Sequence, residues 1–250
     1  MKISIITVTY NSAATLQETM DSVALQDYPA VEYIVVDGNS NDGTVNQIQD
    51  NADNVSQWQS EPDQGMYDAM NKGIRMATGD VVGILNSDDF FYNEHVLSKI
   101  NWAFAEDPKL EAIIGDIVFV KGDDGKQILR RYSAKDWKPS KFALGYMPPH
   151  PSFFVRRECF EKLGYYKTDY KIAADYELLI RFLHKGGLKW RYLPLITTKM
   201  RMGGLSTRGF QSLITLNKEI YRACRENGVY TNYAMIYSKY FFKPFEFIFK

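Results

Sequence analysis

The sequence predicts an α/β protein, with a mostly parallel sheet flanked by helices and a helical C-terminal segment. Three observations predict it. Short apolar runs alternate with stretches whose apolar residues recur every three or four positions, the β-α-β order that gives parallel strands with helices on both faces. Three of those runs end in polar tips, Thr9-Tyr10-Asn11, Asp37 and Asn86-Ser87-Asp88-Asp89, and parallel strands deliver such tips to one edge of a sheet. From Ser212 onward only helical patterning remains.

Taken in order, Ile3 to Thr9 is a β-rich run. Ser12 suits an N-cap, with Leu16, Met20 and Val23 at helical spacing behind it. Val31 to Asp37 is a second strand, the turn cluster Gly38–Gly43 follows, and Thr44 to Asp50 can form a short helix. Val55 to Gln59 is a third, shorter strand. Met66, Met70, Ile74 and Ala77 put a stripe on one helix, which Gly79 is expected to end. Val81 to Leu85 then reads as a buried strand, because it is short, apolar and bounded by turn formers. Val96, Leu97, Ile100 and Phe104 mark a helix. Ala112 to Val120 and Gln127 to Tyr132 read as a hairpin around Gly122-Asp123-Asp124-Gly125. Lys135 to Pro149 is a loop that ends in Pro148-Pro149-His150-Pro151. Ser152 to Val155 is a strand, and Arg157 to Leu163 a helix stopped by Gly164. The helix that starts at Ala173-Ala174-Asp175 carries Leu178, Leu179, Phe182 and Leu183. Leu188 to Leu193 is the last strand, before helices over 212–226 and 230–249, the latter interrupted at Pro244.

Composition narrows the function. Cys159 and Cys224 stand alone without a CxxC, which argues against a zinc site or a disulfide framework and fits a reducing cytoplasm. The N-terminal apolar run is too short for a signal peptide, and no uncharged apolar run reaches the ~18 residues of a membrane span. No GxGxxG follows the first strand and no GxxxxGK[ST] occurs, which disfavours a nicotinamide dehydrogenase and a P-loop NTPase. Net charge is zero, but residues 1–100 carry 15 acidic and 4 basic side chains, and residues 199–250 carry 3 and 9. The acidic part suggests metal and catalytic carboxylates. The basic, aromatic tail suggests anionic partners, against the plainer reading of a solvated helix face. No nucleic-acid partner is expected.

The chemistry centres on Asp88 and Asp89. Two adjacent carboxylates at a strand tip repel each other and become tolerable beside a cation, with hard oxygen ligands favouring Mg²⁺ or Mn²⁺. The plainer reading is a solvated acidic turn.

Four motifs in order resemble glycosyltransferase family 2, inverting enzymes with the GT-A fold, a Rossmann-like sheet. They are Thr7–Asn11, Val35–Thr44, Leu85–Asp89 and Ala174–Leu178. With Asp63–Gly73 and His150–Phe154 added, the chain is similar to the bacterial exopolysaccharide branch, such as the colanic-acid glycosyltransferases. The resemblance covers roughly residues 1–205. It implies a GT-A catalytic domain over 1–205, with a nucleotide-sugar half (1–90) and an acceptor half (91–205), and a helical segment over 206–250. It implies donor contacts from Thr9, Tyr10, Asn11, Asp37, Asp68, Asn86 and Asp88, with Asp37 on the base. Asp88 and Asp89 would hold Mn²⁺ or Mg²⁺, and Asp175 would be the general base. The alternative for Asp37 is an Asx turn, and for Asp175 a first-turn helix acid. His150, Lys72 and Arg201 are further candidates. His150 either faces the metal or diphosphate or is a loop histidine bonded to backbone, and Arg201–Ser206 forms either a flap over the diphosphate or a plain loop. The chain departs from many members at Asn86 (Asp there), Ala174 (Glu) and Met70 (Arg).

The expected activity is metal-dependent, inverting transfer of one sugar from a nucleotide-diphosphate donor (UDP first, GDP or dTDP as alternatives) to a surface polysaccharide or lipid-linked acceptor. The rivals are a nucleotidyltransferase and an inactive membrane scaffold. The expected location is cytoplasmic, or peripheral on the inner membrane face. Tyr230, Tyr233, Ile236, Tyr237, Tyr240, Phe241, Phe245, Phe247 and Phe249, with Lys239, Lys243 and Lys250, would meet a membrane surface, the catalytic domain or a second copy in a homodimer.

Overall fold

In the computed structural model, residues 1–121, 127–201 and 209–242 are described. The Gly122–Gly125 turn, the proposed flap beyond Arg201 and the tail from Lys243 onward lie outside them. The parallel half is built from β1 (Ile3–Thr9), β2 (Val31–Asp37), β3 (Gln57–Ser60) and β4 (Val81–Ile84), linked by α1 (Leu16–Ala24), α2 (Thr44–Asp50) and α3 (Met66–Met76). β1 is buried at every position, as a strand covered on both faces requires. Its alternate residues face two separate cores. Ile3 and Ile5 pack with Leu16, Met20 and Ile48, whereas Ile6 and Val8 pack with Met70 and Ile74 of α3.

The second half mixes directions. It contains β5 (Asp89–Phe91), α4 (Val96–Glu106), β6 (Ala112–Lys121), β7 (Gln127–Tyr132), β8 (Phe153–Arg156), α5 (Glu158–Leu163), α6 (Ala174–Ile180), β9 (Trp190–Arg201), α7 (Phe210–Glu226) and α8 (Tyr233–Phe242). The sheet order is β3-β2-β1-β4-β8-β6-β9-β5, with β7 beside β6. β8 runs antiparallel to β4 and to β6, and β5 to β9, while β6 and β9 are parallel, so the expected mostly parallel sheet is purely parallel over residues 1–84 and mixed beyond. The hairpin pairing of β6 with β7 is as expected.

Other differences have local causes. β9 runs on to Arg201, well past the expected end at Leu193, because Pro194 falls where the β6–β9 register slips between Ile114 and Asp116. A proline without an N–H is tolerated at such an irregularity, and Gly115 opposite it lets the Leu195 carbonyl approach, since a Cβ there would lie 2.7 Å from that oxygen. β5 is too short to announce itself in the sequence and forms because β9 pairs with it. α1 begins at Leu16, not at Ser12, whose carbonyl accepts the Thr15 and Leu16 N–H groups. α3 ends at Met76, ahead of Gly79. α6 continues into a π-helical turn, Arg181–Lys185, closed by the Gly186 N–H on the Arg181 carbonyl at 2.7 Å. Ile220, Ala223, Cys224 and Ile236 of α7 and α8 share one core with Leu178 and Leu179 of α6.

Candidate active site

The carboxyl ends of β1, β2, β3 and β4 meet at one edge. Thr9 lies opposite Asp37, and Asp37 opposite Ser60. The loop after β4 joins them through the Leu85 N–H on the Ile6 carbonyl and a 3.0 Å bond from Ser87 Oγ to Ser12 Oγ. Thr9, Tyr10, Asn11, Asp37, Asn86, Asp88 and Asp89 are thereby gathered at one end of the sheet.

The loop after β1 is fixed by the loop after β2. Asn11 takes φ 49°, a conformation asparagine tolerates. Its N–H donates to Ser40 Oγ at 2.8 Å, and its Oδ1 accepts from the Asn41 N–H at 3.0 Å. Asp42 Oδ2 accepts from the Ala13 N–H at 3.0 Å. Tyr10 projects outward at 64% exposure, a free aromatic face at the strand tip. Thr9 Oγ1 is buried without a hydrogen-bond partner, an unusual state for a hydroxyl.

Asp37 is fully buried. Its carboxylate accepts from the Ser40 N–H at 2.9 Å, from Ser40 Oγ, and from Ser60 Oγ at 2.6 Å. The Asx-type turn is therefore present, with three donors on the enclosed carboxylate. Neither serine was singled out from the sequence. Asp63, in the Asp63–Gly73 motif, lines the same turn, since a Cβ on Gly38 would fall 2.6 Å from its Oδ2.

Asp89 is buried at 1% exposure and Asp88 is half-buried beside it. Burial and then the Asp88 charge push the Asp89 carboxyl well above the usual range, only partly opposed by Asn86 and Arg201. Asn86 Nδ2 donates to Asp89 Oδ2 at 3.2 Å, while Asn86 Oδ1 is buried without a partner. Two adjacent carboxylates and an orphaned amide oxygen fit a hard divalent cation, because Asn86 and Arg201 offset the Asp89 charge only in part and Asn86 Oδ1 has no donor. Among the described residues no group of three or more His, Cys, Asp or Glu side chains forms a ready metal cluster. Arg201 donates to the Asp88 carbonyl at 3.1 Å, pairs with Glu18 and lies over the Phe90 ring at 5.1 Å.

The remaining candidates sit on and behind α3. Asp68 Oδ2 accepts the Gln64 N–H at 3.2 Å, closing the first turn of α3. Lys72 pairs with Glu61 at 2.8 Å and Asp68 at 3.6 Å, and the Glu61 bond raises its pKa. His150 is buried, with Nε2 2.6 Å from the Tyr166 hydroxyl, and burial lowers its pKa to about 4. It is thus a neutral ring bonded to a tyrosine, which neither sequence reading anticipated. Tyr166 stacks on Tyr67, whose hydroxyl donates to the Ile172 carbonyl at 2.5 Å, directly before Asp175.

Asp175 is half-buried in the first turn of α6, and its Oδ1 accepts the Tyr176 N–H at 2.7 Å. Burial raises its pKa to about 6, with a small further rise from Glu219. A carboxylate that titrates near 6, exposed on one side, is suited to take up a proton.

The family model described as Glycosyl transferase family 2 matches residues 4–164. A PGL/p-HBAD biosynthesis glycosyltransferase of Mycobacterium tuberculosis is 31% identical over 207 residues, 81% of this chain and 78% of that protein. An uncharacterized glycosyltransferase of the same species is 33% identical over 196 residues, 72% and 68% of the two chains. Among solved structures, S. aureus TarS 1-349 in complex with UDP-GlcNAc superposes with a TM-score of 0.69 at 18% identity, over 92% of this chain and 68% of that one. Against the longer TarS structure, the chain spans 39% of the length. The mannosyltransferase PcManGT of Pyrobaculum calidifontis, in complex with GDP-Man and Mn²⁺, gives 0.64 at 23% identity, over 88% and 64%. These likenesses show a GT-A-type fold.

Proposed function

The chain belongs to glycosyltransferase family 2, and on that premise we propose that it moves one sugar, with inversion, from a nucleotide-diphosphate sugar to a growing surface polysaccharide or lipid-linked saccharide. The observation that carries this reading is the gathering of the adjacent, buried and half-buried carboxyl groups of Asp89 and Asp88 with the tips of β1 and β2 at one sheet edge. Tyr10 offers the nucleoside a flat apolar face, and Asp37 at the neighbouring strand tip is the proposed acceptor for the base. Asp88, Asp89 and the Asn86 amide oxygen would hold Mn²⁺ or Mg²⁺. When bound, the cation offsets the charge that develops on the departing diphosphate.

Asp175 accepts the proton of the attacking hydroxyl, so the acceptor oxygen forms its bond to the anomeric carbon as the nucleoside diphosphate leaves. Attack on the face opposite the leaving group inverts the anomeric configuration. UDP leads the nucleotide choice, and GDP or dTDP are alternatives. UDP-GlcNAc and GDP-Man in the related structures support a nucleotide-sugar partner. The exopolysaccharide branch and a cytoplasmic or inner-leaflet location belong to the same proposal. Among the described residues no helix is long and apolar enough to cross a membrane.

The test is a thermal-shift panel of UDP, GDP and dTDP with and without Mn²⁺, followed by product analysis with the matching sugar nucleotides. One nucleotide is expected to raise the melting temperature only with Mn²⁺, since a ligand at a hundredfold its dissociation constant adds ~2.7 kcal/mol. Asp89→Ala should abolish that shift and stay folded. Release of free nucleoside diphosphate is expected. Pyrophosphate release from a nucleoside triphosphate would instead make the protein a nucleotidyltransferase.

A further inference from the structure

We propose that Glu219 of α7 is a positioning residue that fixes the turn carrying Asp175 and sets the charge surrounding it. The role of Asp175 rests on the function proposed above, but the link to Glu219 rests on geometry alone. The Glu219 carboxylate accepts three successive backbone N–H groups: Lys171 at 2.7 Å, Ile172 at 2.9 Å and Ala173 at 2.9 Å. These amides lie immediately before α6, where chain geometry leaves N–H groups without helical partners. The same turn is held from its other side by the Tyr67 hydroxyl on the Ile172 carbonyl. Lys171–Ala173 is therefore clamped between α3 and α7, and Asp175 follows two residues later.

Basic side chains around the turn are paired with other carboxylates. Lys167 is paired with Glu177 and Glu226, Arg181 with Glu177, and Arg222 with Asp169 and Glu226. Glu219 itself makes no ion pair among the described residues. The groups facing Asp175 are Tyr67 from α3, Tyr166 from the segment before α6, and Glu219 from α7. Both tyrosines are neutral at physiological pH, so Glu219 supplies the nearby negative charge that opposes ionisation of Asp175.

The experiment compares wild type with Glu219→Gln, which keeps an acceptor oxygen and removes the charge. The Asp175 carboxyl is followed by carbon NMR titration and assigned by its loss in Asp175→Asn. Amide exchange is read at Lys171, Ile172 and Ala173. The variant is expected to lower the Asp175 midpoint by roughly half a unit. Exchange at the three amides is expected to rise on the order of tenfold. Sugar transfer should lose ~10–100-fold in kcat with the donor KM unchanged, and the acid limb of its pH profile should move down with the midpoint. A folded variant in which the midpoint and the exchange rates both match wild type overturns the proposal. If both move and neither protein transfers sugar, the Glu219 link stands and the glycosyltransfer reading fails. Should Glu219→Gln not fold, Glu219→Asp keeps the charge at shorter reach, and unchanged amide exchange in that variant overturns the clamp.

Discussion

Asp175 takes up its proton near pH 6 because burial strips water from the charged form. Its folded pKa is raised above the unfolded value, so the native state binds the proton more tightly than the unfolded chain. The group's penalty is absent below the unfolded value of 3.8, grows as pH rises through 6, and is complete above it. A shift of this size amounts to on the order of 2–3 kcal/mol. Asp175→Asn keeps the bond from the Tyr176 N–H and removes the charge. It should raise the melting temperature at pH 8 by ~4–10 °C and leave it unchanged at about pH 3. The same substitution should cut transfer ~10²–10⁴-fold, with donor affinity intact. A stability gain that does not depend on pH, or a variant that still transfers sugar at the wild-type rate, would make Asp175 only a helix-start acid. Most of these polar groups could be read from the chain because they lie in short motifs at strand ends. Glu219 could not, because its partners are backbone amides, which leave no mark in a sequence.

Among the elements, β1, β2 and β4 were legible because each is a largely apolar run between turns, whereas β3, polar apart from Trp58, begins two residues later than the expected Val55. β5 and the far half of β9 were not legible. Three residues have no periodicity to read, and Pro194 resembles a strand end wherever the partner strand is unknown. What keeps β9 paired past Pro194 is the absence of a side chain at Gly115. A methyl group there would meet the Leu195 carbonyl at 2.7 Å and Thr197 Cγ2 at 3.0 Å, and a backbone carbonyl cannot turn aside as a side chain can. Gly115→Ala should therefore destabilise the protein by ~1–3 kcal/mol, measured by denaturant titration. An equally stable variant would mean that the register slip is adaptable.

At the scale of the whole molecule, the C-terminal helices have a packed side and an exposed side. Ile236 and Lys239 are buried, Tyr240 bonds Asn217, and Thr231 Oγ1 donates to the Ala143 carbonyl at 2.6 Å, so part of the aromatic segment packs on the catalytic core. Tyr230 and Phe241 stand out at 79% and 76% exposure. The proposed membrane contact belongs to those outward rings. Aromatic rings and lysines suit an anionic interface, with ~1 kcal/mol from each basic residue near it. Tyr230→Ser with Phe241→Ser should weaken sedimentation with anionic liposomes at low salt and leave the fold intact. Equal recovery of both proteins in the supernatant would leave the exposed rings to a homodimer or to solvent. The packed side of these helices also has a temporal meaning. Glu219 follows Lys171 by 48 positions, and its carboxylate is what closes the turn before Asp175. A ribosome that has finished α6 has therefore made every strand of the sheet except β9, yet the amides at 171–173 still lack their carboxylate. In order of synthesis the parallel half of the sheet is thus complete long before the carboxylate that closes the turn ahead of Asp175, and until then that turn is held by the Tyr67 hydroxyl on the Ile172 carbonyl.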